Sequence, residues 1–114
     1  MKITLKGTKL DLTPAIKAYV EEKLGSVARF LKKLDAHNSA ILRVELARTT
    51  KHHQKGEVFY AEANLDIPGG IIRAEAFNHD ARLAVNSVKR TLELEIKKHK
   101  DRFDKKRGRG TKAK

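Results

Sequence analysis

The sequence predicts an α+β fold of order β-α-β-β-β-α, with two helices packed on one face of a four-stranded sheet. Two periodicities predict it. Four short segments carry an apolar residue at every second position, the repeat of a half-buried strand, and two longer ones carry an apolar residue at every third or fourth, the repeat of an amphipathic helix. Elements that are apolar on one side only must bury those sides against each other. A two-layer sandwich with the outer sheet face left in water is the simplest arrangement that does so.

The first strand covers residues 2–6: Ile3 and Leu5 share one face, Lys2, Thr4 and Lys6 the other, and Gly7 is expected to end it. Thr13-Pro14 marks a helix start, because a threonine hydroxyl caps free N–H groups and proline at the first helical position gives up no needed donor. Ile16, Val20, Leu24, Val27, Leu31 and Leu34 then form one stripe to about residue 34, with Gly25 tolerated inside the helix at some cost. The second strand is 40–47, with Ala40, Leu42, Val44 and Leu46 on one face, and a polar, basic loop follows over 49–56. In the third strand Phe59, Ala61, Ala63, Leu65 and Ile67 alternate with Tyr60, Glu62, Asn64 and Asp66. Pro68-Gly69-Gly70 turns the chain into a fourth strand, where Ile72, Ala74 and Ala76 alternate with Arg73 and Glu75.

Asn78 or Asp80 caps the last helix, which Ala81, Val85, Val88, Leu92, Ile96 and Phe103 line over more than twenty residues, long enough to overhang the sheet. The folded domain is expected to span 1–104. Residues 105–114 hold no large apolar side chain and are expected to be a basic tail, disordered or frayed. Three strands followed by a C-terminal helix resemble a double-stranded RNA-binding domain, although layout alone does not establish function.

Composition narrows the partners. Lysine and arginine total 26 against 14 aspartates and glutamates, a net charge of +12, so the molecule repels itself and calls for a polyanion. The absence of cysteine excludes a disulfide framework and thiolate-held metal and fits a reducing compartment. The N-terminus alternates instead of carrying the apolar run of a signal peptide, and no stretch approaches the roughly 20 apolar residues of a bilayer span. A cytoplasmic protein with no membrane association is expected.

At about 100° per residue, Arg82, Lys89, Arg90, Lys97, Lys100 and Arg107 fall within about a third of the last helix's circumference, beside the apolar stripe. Glu93 falls in the same sector. Lys98, Arg102 and Lys105 form the other flank, and Arg29, Lys32 and Lys33 add a basic patch on the first helix. A charged helix face is by default only a solvated one. Here the imbalance extends over the whole chain and its tail, which points to nucleic acid held through its phosphates, with counterions released on binding. A membrane surface is disfavoured because both apolar faces are needed for the core. With four phenylalanines and two tyrosines, most hidden by the alternation, recognition by base stacking is disfavoured. Tyr60 falls on the open sheet face, where it reads as a cross-strand packing residue.

No catalytic constellation is visible. His52 and His53, adjacent in a loop, diverge, and no helical pair of histidines supports them as metal ligands; His37, His79 and His99 are isolated. No phosphate-cradling glycine loop, nucleophile elbow or paired-carboxylate motif appears. Glu45 and Glu62 can neighbour each other across two strands but read as ordinary surface. Neither enzymatic activity nor a metal, cofactor or small-molecule substrate is expected.

Laid out in this way, the chain resembles the ribosome hibernation-promoting factor family, which includes ribosome-associated inhibitor A, the ribosomal subunit interface protein. The resemblance covers residues 2 to about 103. It rests on Ile3-Thr4-Leu5-Lys6-Gly7, Leu12-Thr13-Pro14-Ala15-Ile16, Tyr19-Val20, Lys23-Leu24, Val44-Glu45, Asp80 at the last helix start, and Lys98-His99-Lys100-Asp101-Arg102-Phe103 near its end. It implies the same fold and binding to the small ribosomal subunit and its RNA, in the channel that messenger and transfer RNA occupy, which silences idle ribosomes. Lys17, Lys23, Lys98 and Lys100 match basic family positions, whereas Arg82, Lys89, Arg90 and Lys97 rest on helix geometry alone. The chain departs from the family at Asp80-Ala81-Arg82, where members commonly have Asp-Met-Tyr, and at Thr91, which replaces a lysine. It resembles the short form, without the C-terminal dimerisation domain of longer members, and is expected to be a monomer when free. A general double-stranded RNA-binding module is the alternative, and Leu83 and Leu94, placed toward solvent, suggest a protein-interaction domain as a third.

Overall fold

A computed structural model describes residues 1–49 and 58–111, with side chains described through Arg102. Its elements are β1 (Lys2–Thr8), α1 (Pro14–Gly25), a 3-10 segment (Ser26–Phe30), β2 (Ile41–Thr49), β3 (Val58–Ile67), β4 (Gly70–Asn78) and α2 (Ala81–Thr111). The order is the one the sequence predicts. The sheet runs β1-β2-β3-β4, with β1 parallel to β2 and the other pairs antiparallel.

Alternation puts Leu42, Val44, Leu46, Ala61, Ala63, Leu65, Ile72 and Ala74 on the inner sheet face. Against them lie Val20, Leu24, Val27 and Leu31 from the first helical stretch and Val85, Val88, Leu92 and Ile96 from α2, all buried in one core. The alanines of β3 and β4 leave room for the larger side chains of α2, a complementarity that keeps the interior close-packed. Each large α2 core residue contributes roughly 1.5–3 kcal/mol on burial. With 31 residues, α2 is roughly 46 Å long, against roughly 30 Å for strands of nine or ten residues. Ile96 is the last fully buried side chain described on it, so the turns beyond overhang the sheet as expected.

Several boundaries move, each for a local reason. Gly7 lies inside β1 instead of ending it; the chain folds back so closely that a Cβ there would stand 2.8 Å from both the Leu10 carbonyl oxygen and Leu12 Cγ. The reversal follows at Lys9, in the left-handed region with φ 55°. The first helix does not run to residue 34. At Gly25 the Ser26 hydroxyl donates to the Lys23 carbonyl at 2.7 Å, and the chain tightens into the 3-10 segment; Leu31 and Leu34, in the turns that follow it, are still buried. Thr13 caps α1 as expected, its hydroxyl accepting from the Ile16 N–H at 3.2 Å.

Asp80, not Asn78, caps α2: its Oδ1 accepts from the N–H groups of Arg82 and Leu83 at 2.9 and 3.4 Å, while Asn78 Oδ1 accepts from the Asp80 N–H at 2.9 Å. In the β3–β4 turn Gly69 takes the positive φ, 95°, and Gly70 already belongs to β4. The segment expected to fray from 105 is helical as far as Thr111, because extending a packed helix avoids the nucleation cost and lysine and arginine are good helix formers. Residues 112–114, and the expected 49–56 loop with His52 and His53 except for Thr49, lie outside the described residues.

Asp35 anchors the connection that sets β2 beside β1. Its carboxylate accepts from the Ser39 N–H at 2.8 Å, the Ser39 hydroxyl at 3.0 Å and the Ala40 N–H at 2.7 Å, and the carbonyl of that same Ala40 accepts from the Lys2 N–H at 2.9 Å. Burial pushes its pKa up, but those hydrogen bonds together outweigh burial and hold it below the ordinary carboxylate value of 3.8. A carboxyl depressed on folding adds stability above that value and loses it as pH falls through the folded pKa. Asp35→Asn, which cannot accept from both backbone N–H groups, should therefore lower the urea midpoint at neutral pH, and the deficit should shrink on acidification below about pH 4. A deficit that is constant with pH would show that the charge plays no part.

Candidate nucleic-acid interface

Where α1 and the 3-10 segment meet α2, the structure gathers cations from both sides. Tyr19 is the pivot. The Lys23 ammonium lies 5.6 Å and the Arg82 guanidinium 5.3 Å from its ring centroid, and its hydroxyl donates to Asn86 Oδ1 at 2.9 Å. The four-residue spacing puts Lys23 beside Tyr19 on α1 and Asn86 beside Arg82 on α2, so one ring orients two charges from two helices. Each such contact is worth only about 0.5–1 kcal/mol at an exposed site. The larger consequence is that a cation from each helix is held at the same ring.

Further along the seam an open groove of about 600 Å³ is lined by Phe30, Leu94 and Ile96 and by Arg90, Glu93, Lys97 and Lys100. The Arg29 guanidinium lies 5.2 Å from the Phe30 ring centroid. Glu93, the acid inside the basic sector, is held by Lys89 at 3.0 Å. Among the described residues no carboxylate lies within ion-pair distance of Lys23, Arg29, Arg82, Arg90, Lys97 or Lys100. These six are the expected positions that the fold brings together.

The remaining expected positions fall elsewhere. Lys98 is paired with Glu95 at 3.4 Å, and Arg102 Nη2 lies 3.2 Å from His99 Nδ1; both belong to the opposite flank of α2. Lys17 is exposed but lies about 120° around α1 from Lys23, on the side of Glu21. Lys32 lines a separate depression with Leu31, Asp35 and Asn38. The side chains of Lys105 and Arg107 lie outside the described residues. Leu83 and Leu94 face solvent, 50% and 57% exposed, where the helix geometry puts them. Tyr19, Asn86 and Phe30 were not singled out as site residues from sequence. The available signals were the Tyr19/Lys23 and Arg82/Asn86 spacings, but nothing in them shows that the two helices meet at that ring.

Three glutamates meet on the open sheet face. Glu45, Glu62 and Glu75 lie opposite one another in consecutive strands, where like charges would repel. Arg73 bridges Glu62 and Glu75, Thr8 Oγ1 donates to Glu45 at 2.6 Å, and the Tyr60 hydroxyl donates to Glu75 at 2.7 Å. Burial and that bond to Glu75 push the Tyr60 pKa up. Tyr60 packs beside its cross-strand partner Phe77, ring centroids 4.9 Å apart, the role expected of it. The acids of the open sheet face are thus held by internal bonds, whereas the six cations of the seam have no carboxylate partner among the described residues. Among the described residues no helix is long and apolar enough to cross a membrane.

Residues 3–104 match the model of the family described as sigma 54 modulation protein / S30EA ribosomal protein. A ribosome hibernation promotion factor of Deinococcus radiodurans is 34% identical over 107 residues, covering 93% of this chain and 52% of that protein. A ribosome hibernation promoting factor of Pseudomonas putida is 31% identical over 102 residues, covering 90% of this chain and 89% of its own. The chain therefore spans about half of the first relative and most of the second. Among solved structures, the N-terminal domain of Thermus thermophilus Protein Y superposes with a TM-score of 0.71 at 30% identity, covering 87% of this chain and 99% of that one. A ribosomal subunit interface protein from Coxiella burnetii, at 22% identity, shares the fold with a TM-score of 0.70, covering 89% and 99%. With its fold and nearly its whole length matched, the chain belongs to the sigma 54 modulation protein / S30EA ribosomal protein family, that of the ribosome hibernation promoting factors.

Proposed function

We propose that this chain is a ribosome-associated hibernation factor of the cytoplasm. It binds small-subunit ribosomal RNA in the channel for messenger and transfer RNA and keeps idle ribosomes from initiating. The observation that supports this reading best is the convergence of Lys23, Arg29, Arg82, Arg90, Lys97 and Lys100 on one seam, none with a carboxylate partner among the described residues. Cations left unpaired on a rigid two-helix surface neutralise phosphates without first breaking internal ion pairs. Their partner is then a backbone, read by shape and charge instead of by base edges. No chemistry beyond binding is required, since occupying the channel is itself the inhibition.

Co-sedimentation of the full chain with purified small subunits tests this. About six phosphate contacts should cost on the order of a thousandfold in affinity between roughly 50 and 200 mM salt, and a generic RNA duplex should compete poorly. A duplex that displaces the chain as well as ribosomes do would favour a general double-stranded RNA-binding module. Binding indifferent to salt would favour a protein partner held through Leu83 and Leu94.

A further inference from the structure

The groove between Phe30 and α2 holds more apolar surface than a phosphate backbone needs. Phe30 is only partly buried, packed against the core on one side, and Leu94 beside it is 57% exposed. Around this surface stand Arg90, Lys97 and Lys100, with Glu93 already taken by Lys89. The Arg29 guanidinium, 5.2 Å from the Phe30 ring centroid, adds a cation beside the groove. We propose that this groove seats one unpaired nucleotide of the bound RNA, its base against Phe30 and Leu94 and its phosphate on Lys97 and Lys100.

The proposal rests on the RNA-binding reading and goes further by naming what kind of nucleotide the seam selects. A volume of about 600 Å³ falls within the roughly 300–1,000 Å³ of small-molecule sites, ample for a nucleotide. Lys97 and Lys100, three residues apart, share one face of α2, so both ammonium groups can reach a single phosphate while the base turns inward. A paired base cannot do this: its faces are stacked inside the duplex, and A-form helices offer only 2′-hydroxyls, phosphates and a shallow groove. An acidic peptide would satisfy the cations but bring no flat ring to Phe30 and Arg29. The scarcity of aromatics argues against stacking as a general mode for this chain, yet one ring suffices for one base when cations surround it.

The chain contains no tryptophan, so Phe30→Trp places a single reporter in the groove of the full-length protein. Titration with a short unstructured single-stranded RNA should quench its emission, whereas the blunt duplex of that strand with its complement should bind without quenching. Phe30→Leu, which keeps the apolar packing and removes the ring, should weaken single-strand binding roughly tenfold and leave duplex binding unchanged. Equal quenching by strand and duplex, no quenching by either, or displacement of the strand by polyglutamate at equal charge would overturn the seat. So would a folded Phe30→Leu that binds the strand as wild type does. If neither RNA binds at low salt, the phosphate-gripping reading has failed as well; if both bind and residue 30 reports nothing, only the seat has.

Discussion

Lys97→Glu/Lys100→Glu should weaken binding to the small subunit by on the order of a hundredfold at physiological salt, since two phosphate contacts are lost and two repulsions replace them. The salt dependence of the remaining binding should also flatten. The control lies on the same helix. Lys98→Glu/Arg102→Glu changes the net charge equally, but Lys98 already serves Glu95 and Arg102 lies against His99, on the flank away from the seam. It should cost several-fold less. Parallel co-sedimentation of the two variants separates the possibilities: equal losses would mean that net charge alone drives binding. Neither variant removes a core contact, so the thermal midpoints of both should stay near wild type.

Leu92→Ala should destabilise the fold by about 2–5 kcal/mol, the range for a leucine deleted from a closed core, while Leu94→Ala two residues on should change stability by less than about 0.5 kcal/mol. Leu92 is 0% exposed and Leu94 57% exposed, although composition alone treats them alike. A total stability of about 5–15 kcal/mol makes the first loss a large fraction of the whole. Leu92 belongs to the row that fastens α2 to β3 and β4, so its loss should also weaken RNA binding by releasing the helix that carries Arg90, Lys97 and Lys100. Leu94→Ala should do the reverse, keeping the fold and costing affinity for unpaired RNA. Chemical denaturation of both variants reads this directly, and comparable losses would show that the apolar stripe has been assigned to the wrong side of α2.

The elements were legible because their signals are local. Alternation at β2, β3 and β4 and the three-to-four repeat of α2 each lie within a few turns of chain, and every inward residue they name is buried or half-buried, except Phe103, whose side chain lies outside the described residues. Boundaries were less legible. Gly7 reads as a strand end until the close approach of Leu10 and Leu12 shows why a glycine stands inside β1. The stripe through Leu34 reads as one helix because the 3-10 segment and the turns after it keep nearly the same spacing of buried residues. The hydroxyl of Ser26 makes the difference, and it competes for backbone in a way periodicity does not record.

Periodicity and composition settled the strands and helices, the faces they bury and the excess of positive charge, since each is a property of neighbouring residues or of a sum over the chain. Which cations remain available for a ligand was left to the packed molecule. Lys97 and Lys98 are adjacent and chemically identical, yet about 100° of helix sends one into an open groove and the other onto Glu95. Tyr19 gains its role only when Arg82, 63 residues later in the chain, arrives at its ring. Ion pairing and ring contacts depend on distances across the fold, and those exist only after α1 and α2 have docked on the same face of the sheet.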